Sequence, residues 1–241
     1  MEDISLVIEN FRGNGDLLMM ICDGHGGKAA ASFCIQYLPT ILTRELAEDT
    51  SHVETASRDH TVIALHNSFE MLAAIMRDIE EFATCGTTCA LVLITNGDVL
   101  YSANVGDTRS LVITPHGSLR VSTDHKVSEV DEYNRIIKSG GCITYSGVPR
   151  IHGYAVSRAF GDCEAAPYII ATPSIYKMQL LKSFSIVMCS DGVFDVLSDD
   201  DVASVVRACK DGDNAARLIV ESALMLNSSD NISVLLAVNC K

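Results

Sequence analysis

The sequence predicts an α+β fold in which antiparallel sheets are covered by helices. Apolar runs of strand length recur along its 241 residues, and several end in glycine or in polar turn residues. Stretches with helical spacing of apolar residues occur in pairs, so the order is strands, two helices, many strands, two helices and a strand. A parallel sheet would need strands and helices that alternate, so this grouped order favours antiparallel sheets with helices packed on them.

The chain begins with a predicted strand pair and two predicted helices. Residues 4–9 and the apolar run 17–22 are strand-like, and the turn-forming residues between them predict an antiparallel pair. Helical spacing of apolar residues then predicts a helix within 27–49, kinked at Pro39, and a second helix over 60–82.

The middle of the chain predicts a β-meander. The apolar period changes from helical to strand-like in residues 84–94, and Asn96-Gly97 is a strong hairpin signal before the strand-like residues 99–105. Two more strand-like segments, 109–113 and 118–122, continue the meander.

The last part of the chain predicts three helices, a surface flap and two further strands. Residues 128–139 are helix-like and end at Gly140-Gly141, and residues 142–154 carry glycine and proline in a pattern typical of a surface flap. The remaining predictions are strands over 184–189 and 232–238, a helix over 198–208 with acidic residues in its first turn, and a helix over 213–227.

Composition limits the class of protein. A hydrophobic content of 48% with 20% charged residues is typical of a globular chain, and we expect one domain over residues 1–241. The net charge of −13 argues against nucleic acids and anionic membranes as partners, because both attract basic proteins. With neither a leader-like start nor a membrane-length apolar run, we expect a protein of the cytoplasm or nucleus. We also expect a monomer.

The nine cysteines follow no C-x-x-C pattern and mostly lie within apolar runs. This distribution favours reduced, buried thiols in an intracellular protein. Cys85 and Cys89 are close in sequence, but a strand places both on one face at a separation too long for a disulfide.

Three predicted strands have an aspartate at their tip, and this pattern is the main functional signal. Asp23 follows the run 17–22, Asp191 follows 184–189, and Asp230 precedes 232–238. Carboxylates that converge repel one another unless a cation lies among them. The predicted pairing of residues 4–22 also brings the N-terminal acids Glu2 and Asp3 towards Asp23, although a solvated chain end is the alternative. Asp107 in a Gly-Asp break is either a turn residue or a further member of this cluster.

A series of motifs resembles the metal-dependent protein serine/threonine phosphatases of type 2C. The series follows the family order over almost the whole chain and comprises Met1-Glu2-Asp3, Asp23-Gly24-His25-Gly26-Gly27, Gly86-Thr87-Thr88, Ala103-Asn104-Val105-Gly106-Asp107-Thr108-Arg109, Asp124-His125-Lys126, Gly140-Gly141, Ala155-Val156-Ser157-Arg158-Ala159-Phe160-Gly161-Asp162, Ser190-Asp191-Gly192 and Asp230-Asn231. Each motif alone is weak, but nine in register make coincidence a poor explanation.

The resemblance implies a four-layer α-β-β-α sandwich with a cleft that holds two Mg²⁺ or Mn²⁺ ions. Asp23 would bridge both ions, the Gly24 carbonyl would bind one, and Asp191 and Asp230 would complete the other. Glu2 and Asp3 would act through metal-bound waters, and Asp107 would hold a third, weaker ion. The substrates would be phosphorylated proteins, attacked at phosphoserine or phosphothreonine by a water that bridges the ions. His25 would protonate the leaving oxygen as general acid, the alternative being a structural loop histidine.

One departure from the family pattern concerns phosphate binding. The family usually has an arginine four residues before the Glu of the Glu-Asp pair, preceded by a strand or two, and the sequence in hand begins at Met1. Either the sequence is shortened at its N-terminus and lacks the family's first strand or strands, or the protein is a minimal member of the family. In a minimal member, phosphate would be held by the metals alone or with another basic residue. Arg158 is a candidate for this role, with a structural ion pair to Asp162 as the alternative.

Two other functions compete with the phosphatase hypothesis. A catalytically inactive relative that acts as a scaffold would have lost metal ligands, whereas Asp23, Asp191 and Asp230 are all present. A metal-dependent nuclease would use a similar acid cluster but would need a basic groove, which the charge of −13 argues against.

Overall fold

The computed structural model describes residues 1–47, 59–209 and 211–240. Within these residues the strands are β1 (Ile4–Phe11), β2 (Asp16–Cys22), β3 (Gly24–His25), β4 (Gly86–Thr87), β5 (Cys89–Thr95), β6 (Val99–Val105), β7 (Arg109–Thr114), β8 (Gly117–Arg120), β9 (Ile143–Ser146), β10 (Val148–Ile151), β11 (Phe160–Gly161), β12 (Ser174–Gln179), β13 (Ser183–Cys189) and β14 (Val234–Cys240). The helices are α1 (Ala29–Ala47), α2 (His60–Arg77), α3 (Val130–Lys138), α4 (Asp191–Phe194), α5 (Asp199–Ala208) and α6 (Gly212–Met225).

Two antiparallel sheets form the centre of the molecule. The first has the strand order β1-β2-β5-β6-β12 and the second has the order β14-β13-β7-β8. Met19 and Ile21 of β2 pack with Ile186 and Met188 of β13 in a buried layer between the sheets. The opposite face of β2 is buried as well, which explains why this strand is an unbroken apolar run rather than an alternating one.

Helices cover the outer face of each sheet. Leu38 of α1 and Leu65 of α2 belong to the buried cluster on the outer face of the first sheet. Val202 of α5 and Ile219 of α6 belong to the equivalent cluster on the second sheet. The predicted four-layer α-β-β-α sandwich is therefore confirmed.

Most predicted elements are present, but their ends differ in places. The helix predicted over 60–82 ends at Arg77, where the Asp78 N–H bonds to the Met76 carbonyl, and a 3₁₀ turn over Glu80–Phe82 follows. The strand predicted over 84–94 is divided into β4 and β5. The described part of α1 runs to Ala47, so the predicted helix end at residue 49 lies outside the described residues.

Two small β structures lie beside the main sheets. The short strands β11, β4 and β3 pair in that order, so the segment after β2 is held to the chain around Gly86. β9 and β10 form the hairpin predicted as a flap, in which Val148 pairs with Ser146. Among the described helices, none is both long enough and apolar enough to traverse a lipid bilayer.

Candidate metal centre

Five of the predicted acidic residues meet where strands of both sheets end. Asp23 follows β2, Asp191 begins α4 after β13, and Asp230 precedes β14. The carboxyl groups of Asp23 and Asp191 share a hydrogen bond, and the charges of Asp3 and Asp107 act on Asp23. Asp107 and Asp230 in turn act on Asp191. The face-to-face packing of the sheets thus brings residues far apart in sequence into one acidic cluster.

The backbone of Asp23 is fixed by two threonines of the neighbouring segment. The Asp23 N–H donates to Thr88 Oγ1 at 3.2 Å, and the Thr88 N–H donates to the Asp23 carbonyl at 2.9 Å. Thr87 Oγ1 donates to the same carbonyl at 3.0 Å. These bonds continue the antiparallel register of β2 and β5 two residue pairs beyond Ile21 and Ala90, so the aspartate at the strand tip is held by sheet geometry.

Glu2 and Gly24 lie at the edge of this cluster. The Glu2 N–H donates to Asn231 Oδ1 at 2.8 Å, which ties the start of the chain to the segment that carries Asp230. A Cβ atom at Gly24 would lie 2.9 Å from the Glu2 carbonyl oxygen, so glycine at this position allows the two segments to approach. The structure therefore places both predicted residues next to Asp23.

Burial and mutual repulsion make these carboxylates costly to ionise. Burial, together with the charges of Asp191 and Asp3, raises the pKa of Asp23 to about 10. Burial and the charges of Asp107 and Asp230 raise the pKa of Asp191 to about 7. Burial also raises the pKa of Asp107, although Lys126 opposes that effect. A bound cation would offset the cost of several charges in so small a volume.

Several buried oxygen atoms of the cluster have no hydrogen-bond partner in the described part of the chain, as expected where a cation binds. Both carboxyl oxygens of Asp3 and Oδ1 of Asp191 are buried and accept no hydrogen bond from the described residues. Buried polar atoms normally have a partner, and a cation can take that place. Carboxylate and carbonyl oxygens are the ligands that Mg²⁺, Mn²⁺ and Ca²⁺ favour, so the donor set fits a hard divalent ion.

Lys126 and Asp195 also border the cluster, and the sequence analysis assigned neither to it. Lys126 Nζ lies 3.3 Å from Asp107 Oδ2 and 3.5 Å from Asp195 Oδ1. Asp195 follows Asp191 by four residues, the spacing that aligns side chains on one helical face, and this was the available signal.

His25 lies beside the acidic cluster and contacts a buried aspartate. Its Nε2 is 2.7 Å from Asp162 Oδ2, and the Asp162 side chain is fully buried whereas that of His25 is 31% exposed. A carboxylate accepts hydrogen bonds, so Nε2 is the donor of this pair. The ring of Tyr154 packs against the imidazole at 5.4 Å between centroids. The imidazole is thus oriented on one side and open to solvent on the other.

Backbone conformation and a glycine make room for Asp162. Asp162 has a left-handed backbone with φ 49°, a conformation that aspartate tolerates better than most residues. Its carboxylate lies so close to Gly86 that a side chain at residue 86 would overlap it. Gly86 is therefore required for the contact between Asp162 and His25.

The structure corrects the expectations for Arg158. Its guanidinium pairs with Glu132 Oε1 at 2.5 Å and donates to the Thr172 carbonyl at 2.8 Å. The predicted ion pair with Asp162 is wrong, because Asp162 binds His25 instead. The alternative role in phosphate binding is not supported either, since the guanidinium is already engaged by Glu132 and Thr172.

Comparisons with known proteins identify the family to which the chain is similar. A sequence model of the family described as Protein phosphatase 2C matches residues 1–232. The chain is 33% identical over 223 residues to "Probable protein phosphatase 2C 11" of Arabidopsis thaliana, covering 91% of this chain and 58% of that protein. It is 33% identical over 222 residues to "Probable protein phosphatase 2C 59" of Oryza sativa subsp. japonica, covering 90% and 65%. The chain thus spans about half to two thirds of the length of these curated relatives.

Solved structures show the same fold. A sex determining protein of C. elegans superposes with a TM-score of 0.86 at 22% identity, covering 99% of this chain and 61% of that chain. The serine-threonine phosphatase 2C of Toxoplasma gondii superposes with a TM-score of 0.82 at 20% identity, covering 98% and 90%. At these identities the likeness concerns the fold.

Proposed function

This chain belongs to the protein phosphatase 2C family, and on that basis we propose that it hydrolyses phosphoserine and phosphothreonine in proteins with the help of bound Mg²⁺ or Mn²⁺. The convergence of Asp23, Asp191 and Asp230, with buried oxygens that lack partners, carries the proposal. A scaffold protein would have no need to keep this costly cluster of acids.

The proposed metal ligands are the acids of the cluster. Asp23 and the Gly24 carbonyl would hold one ion, and Asp23, Asp191 and Asp230 would hold the second. Glu2 and Asp3 would act through ordered water, and Asp107 would hold a third, weaker ion. When bound, the ions would supply Lewis acidity, which would activate a water molecule as nucleophile and stabilise charge on the phosphate.

His25 is the proposed general acid. Its imidazole is oriented by Asp162 through Nε2, which leaves Nδ1 and the exposed edge of the ring free of that contact. A proton delivered to the serine or threonine oxygen makes an otherwise poor leaving group depart as an alcohol. Asp162 is a positioning residue in this scheme, because it acts through His25.

Hydrolysis of a phosphothreonine peptide tests the proposal. We expect phosphate release with Mn²⁺ and none above background after chelation. Asp191→Asn should lower kcat/KM by about 100-fold or more, since it removes a proposed ligand at the reacting centre. Asp200→Asn, which changes an exposed aspartate of α5, is the matched control and should retain activity. Equal turnover with and without metal would contradict the proposal, and a folded protein without turnover would favour the scaffold.

A further inference from the structure

Three cysteines from distant parts of the sequence meet between the first sheet and α1. Cys22 ends β2, Cys89 begins β5 and Cys34 lies on the inner face of α1. The sulfur atoms of all three lie within 4.8 Å of one another, and each residue is 0% exposed. The spacing of the cysteines in the sequence does not indicate this cluster, because it depends on strand pairing and on the packing of α1.

The pairing of the strands explains why two of the thiols face each other. Ile21 of β2 pairs with Ala90 of β5, so Cys22 and Cys89 are opposite one another one step further along. Directly opposite residues of antiparallel strands project to the same face with neighbouring side chains. α1 packs on that face and places Cys34 above the pair within the same buried cluster.

We propose that Cys22, Cys34 and Cys89 form a trithiol site for trivalent arsenic. Arsenic(III) binds three thiolates in a trigonal pyramid, and the product carries no net charge. The reaction is As(OH)₃ + 3 RSH → As(SR)₃ + 3 H₂O. Three As–O bonds break, three As–S bonds form and each thiol proton leaves with a hydroxide as water. No atom is oxidised or reduced, so neither an oxidant nor a reductant is needed.

Charge favours this ligand over a divalent metal. The cluster lies among apolar side chains such as Leu38, Leu91 and Phe82. Three thiolates around Zn²⁺ or Cd²⁺ would leave a net negative charge in these surroundings, which is costly without a partner. Zinc sites in proteins also have four ligands as a rule, whereas this cluster supplies three sulfur atoms. A neutral product with three sulfur ligands meets neither difficulty.

Arsenic bound to the three cysteines would affect the acidic cluster through the backbone. Cys22 directly precedes Asp23, and Cys89 directly follows Thr88, which bonds to the Asp23 backbone. Three As–S bonds would draw these strand ends and α1 together. We therefore expect arsenic to inhibit the phosphatase. This consequence rests on the proposed function, whereas binding itself does not.

Arsenic binding to the reduced, folded protein tests the proposal. The protein is incubated with arsenite, desalted and measured by native mass spectrometry and by X-ray absorption at the arsenic edge. We expect one arsenic atom per chain, a mass change equal to one arsenic minus three hydrogens, and three sulfur neighbours. Uptake should be slow, because the buried thiols become accessible through local opening. Arsenite suits this test better than Cd²⁺, which would also bind the acidic cluster.

Cysteine variants assign the site. Cys34→Ala and Cys89→Ala should each reduce retained arsenic by about tenfold or more, because each variant leaves only two sulfur ligands at the site. Cys189→Ala, at another fully buried cysteine, is the matched control and should bind as the wild type does. Circular dichroism verifies that each variant is folded. If a variant does not fold, the number of sulfur neighbours of arsenic in the wild-type protein tests the proposal by itself. The proposal would be overturned if the wild type retained no arsenic, or if its arsenic had fewer than three sulfur neighbours. It would also be overturned if folded Cys34→Ala retained as much arsenic as the wild type.

Discussion

At the scale of single residues, the contact between His25 and Asp162 matters most for the proposed chemistry. A buried carboxylate that accepts from Nε2 sets both the orientation of the ring and the position of its proton. The pair is built from segments 137 residues apart, and Gly86 leaves the space in which Asp162 reaches the imidazole. The same pair also explains why Arg158 has a different partner.

We predict that Asp162→Asn slows the hydrolysis of phosphoserine peptides by about 10- to 100-fold, the usual effect of removing a residue that orients a functional side chain. p-Nitrophenyl phosphate has a good leaving group and needs little protonation, so its turnover should change much less. His25→Ala should show the same selectivity with a larger effect on the peptide. Steady-state kinetics on both substrates measure the difference.

The matched control is Glu164→Gln, which alters an exposed acid two residues away and should leave both rates unchanged. Equal losses on the two substrates for Asp162→Asn would show that Asp162 supports the structure of the centre rather than the orientation of the general acid.

The clustered acids were predictable from the sequence, but the partners of single side chains were not. Asp23, Asp191 and Asp230 were predictable because each stands at the tip of an apolar strand, and strand tips meet at sheet edges. The pairing of Asp162 with His25 was not predicted, since the sequence suggested Arg158, four residues away, as the partner of Asp162. The fold decides between them, because Arg158 points to α3.

At the scale of elements, α3 is tied to the segment before β11 by a buried carboxylate. Glu132 of α3 accepts from Arg158 at 2.5 Å, from Ser157 at 2.7 Å and from Arg135 at 2.9 Å. Burial alone would raise the pKa of Glu132, but these hydrogen bonds outweigh it and lower the pKa to about 2. Because the Glu132 carboxylate and the guanidinium groups of Arg135 and Arg158 all have hydrogen-bond partners, the network fixes the segment that leads to Asp162.

We predict that Glu132→Gln lowers the free energy of unfolding by about 3 kcal/mol at pH 7, which corresponds to the depression of the pKa from 4.5 to about 2. A depressed carboxyl pKa stabilises the fold above the unfolded value and loses that effect as the pH falls through the folded value. The difference between wild type and variant should therefore shrink from pH 4.5 towards pH 2. Urea unfolding at several pH values measures it.

Glu129→Gln is the control for this experiment, because Glu129 is exposed and precedes the same helix. A gap between wild type and Glu132→Gln that stays constant down to pH 2 would contradict the assignment of the low pKa to Glu132.

The β9–β10 hairpin is the element best placed to contact a protein substrate. Its residues Tyr145 and Val148 are exposed, at 70% and 47%. Ile151 at its base pairs with Tyr154, whose ring contacts His25. Exposed apolar side chains that lead towards a reactive centre are suited to binding a peptide around its phosphorylated residue.

We predict that Tyr145→Ala raises KM for a phosphorylated protein substrate by about three- to tenfold, as expected for the loss of one aromatic contact. Its kcat on p-nitrophenyl phosphate should stay the same, because that substrate is too small to reach the hairpin. Leu181→Ala, at an exposed apolar residue outside the hairpin, should affect neither value. A matching change for both substrates would contradict the assigned role.

Elements with a strong apolar periodicity were predicted from the sequence, whereas elements with a weak periodicity were missed. The strand β12 was not predicted, because it mixes half-buried residues with the exposed Tyr176 and Lys177. As an edge strand it is recognised by its pairing with β6 and not by its own composition. The end of α2 was placed too late, since Ile79 and Phe82, which follow the helix, continue its apolar spacing.

At the scale of the whole molecule, the fold gathers negative charge at one place in a chain that is already acidic. The net charge is −13, and the clustered acids come from both sheets and from the start of the chain. Repulsion among them destabilises the folded state, so a cation that binds only the folded state should stabilise it. The proposed metal binding would therefore be linked to global stability.

We predict that Mn²⁺ at about 100 times its dissociation constant stabilises the protein by about 2.7 kcal/mol. For a chain of this size the melting temperature should rise by about 5–10 °C. Differential scanning calorimetry at matched ionic strength separates this effect from general screening of the acidic surface. Asp191→Asn should reduce the rise strongly, and an equal rise in that variant would assign the effect to cations bound elsewhere.

The central claim is that Asp23, Asp191 and Asp230 converge to bind a pair of divalent ions. Anomalous diffraction at the manganese edge from crystals soaked in Mn²⁺ tests it most directly. We expect two strong anomalous peaks among these three carboxylates, with Asp23 in contact with both. Manganese peaks confined to other surfaces, with the three carboxylates free of metal, would contradict the account.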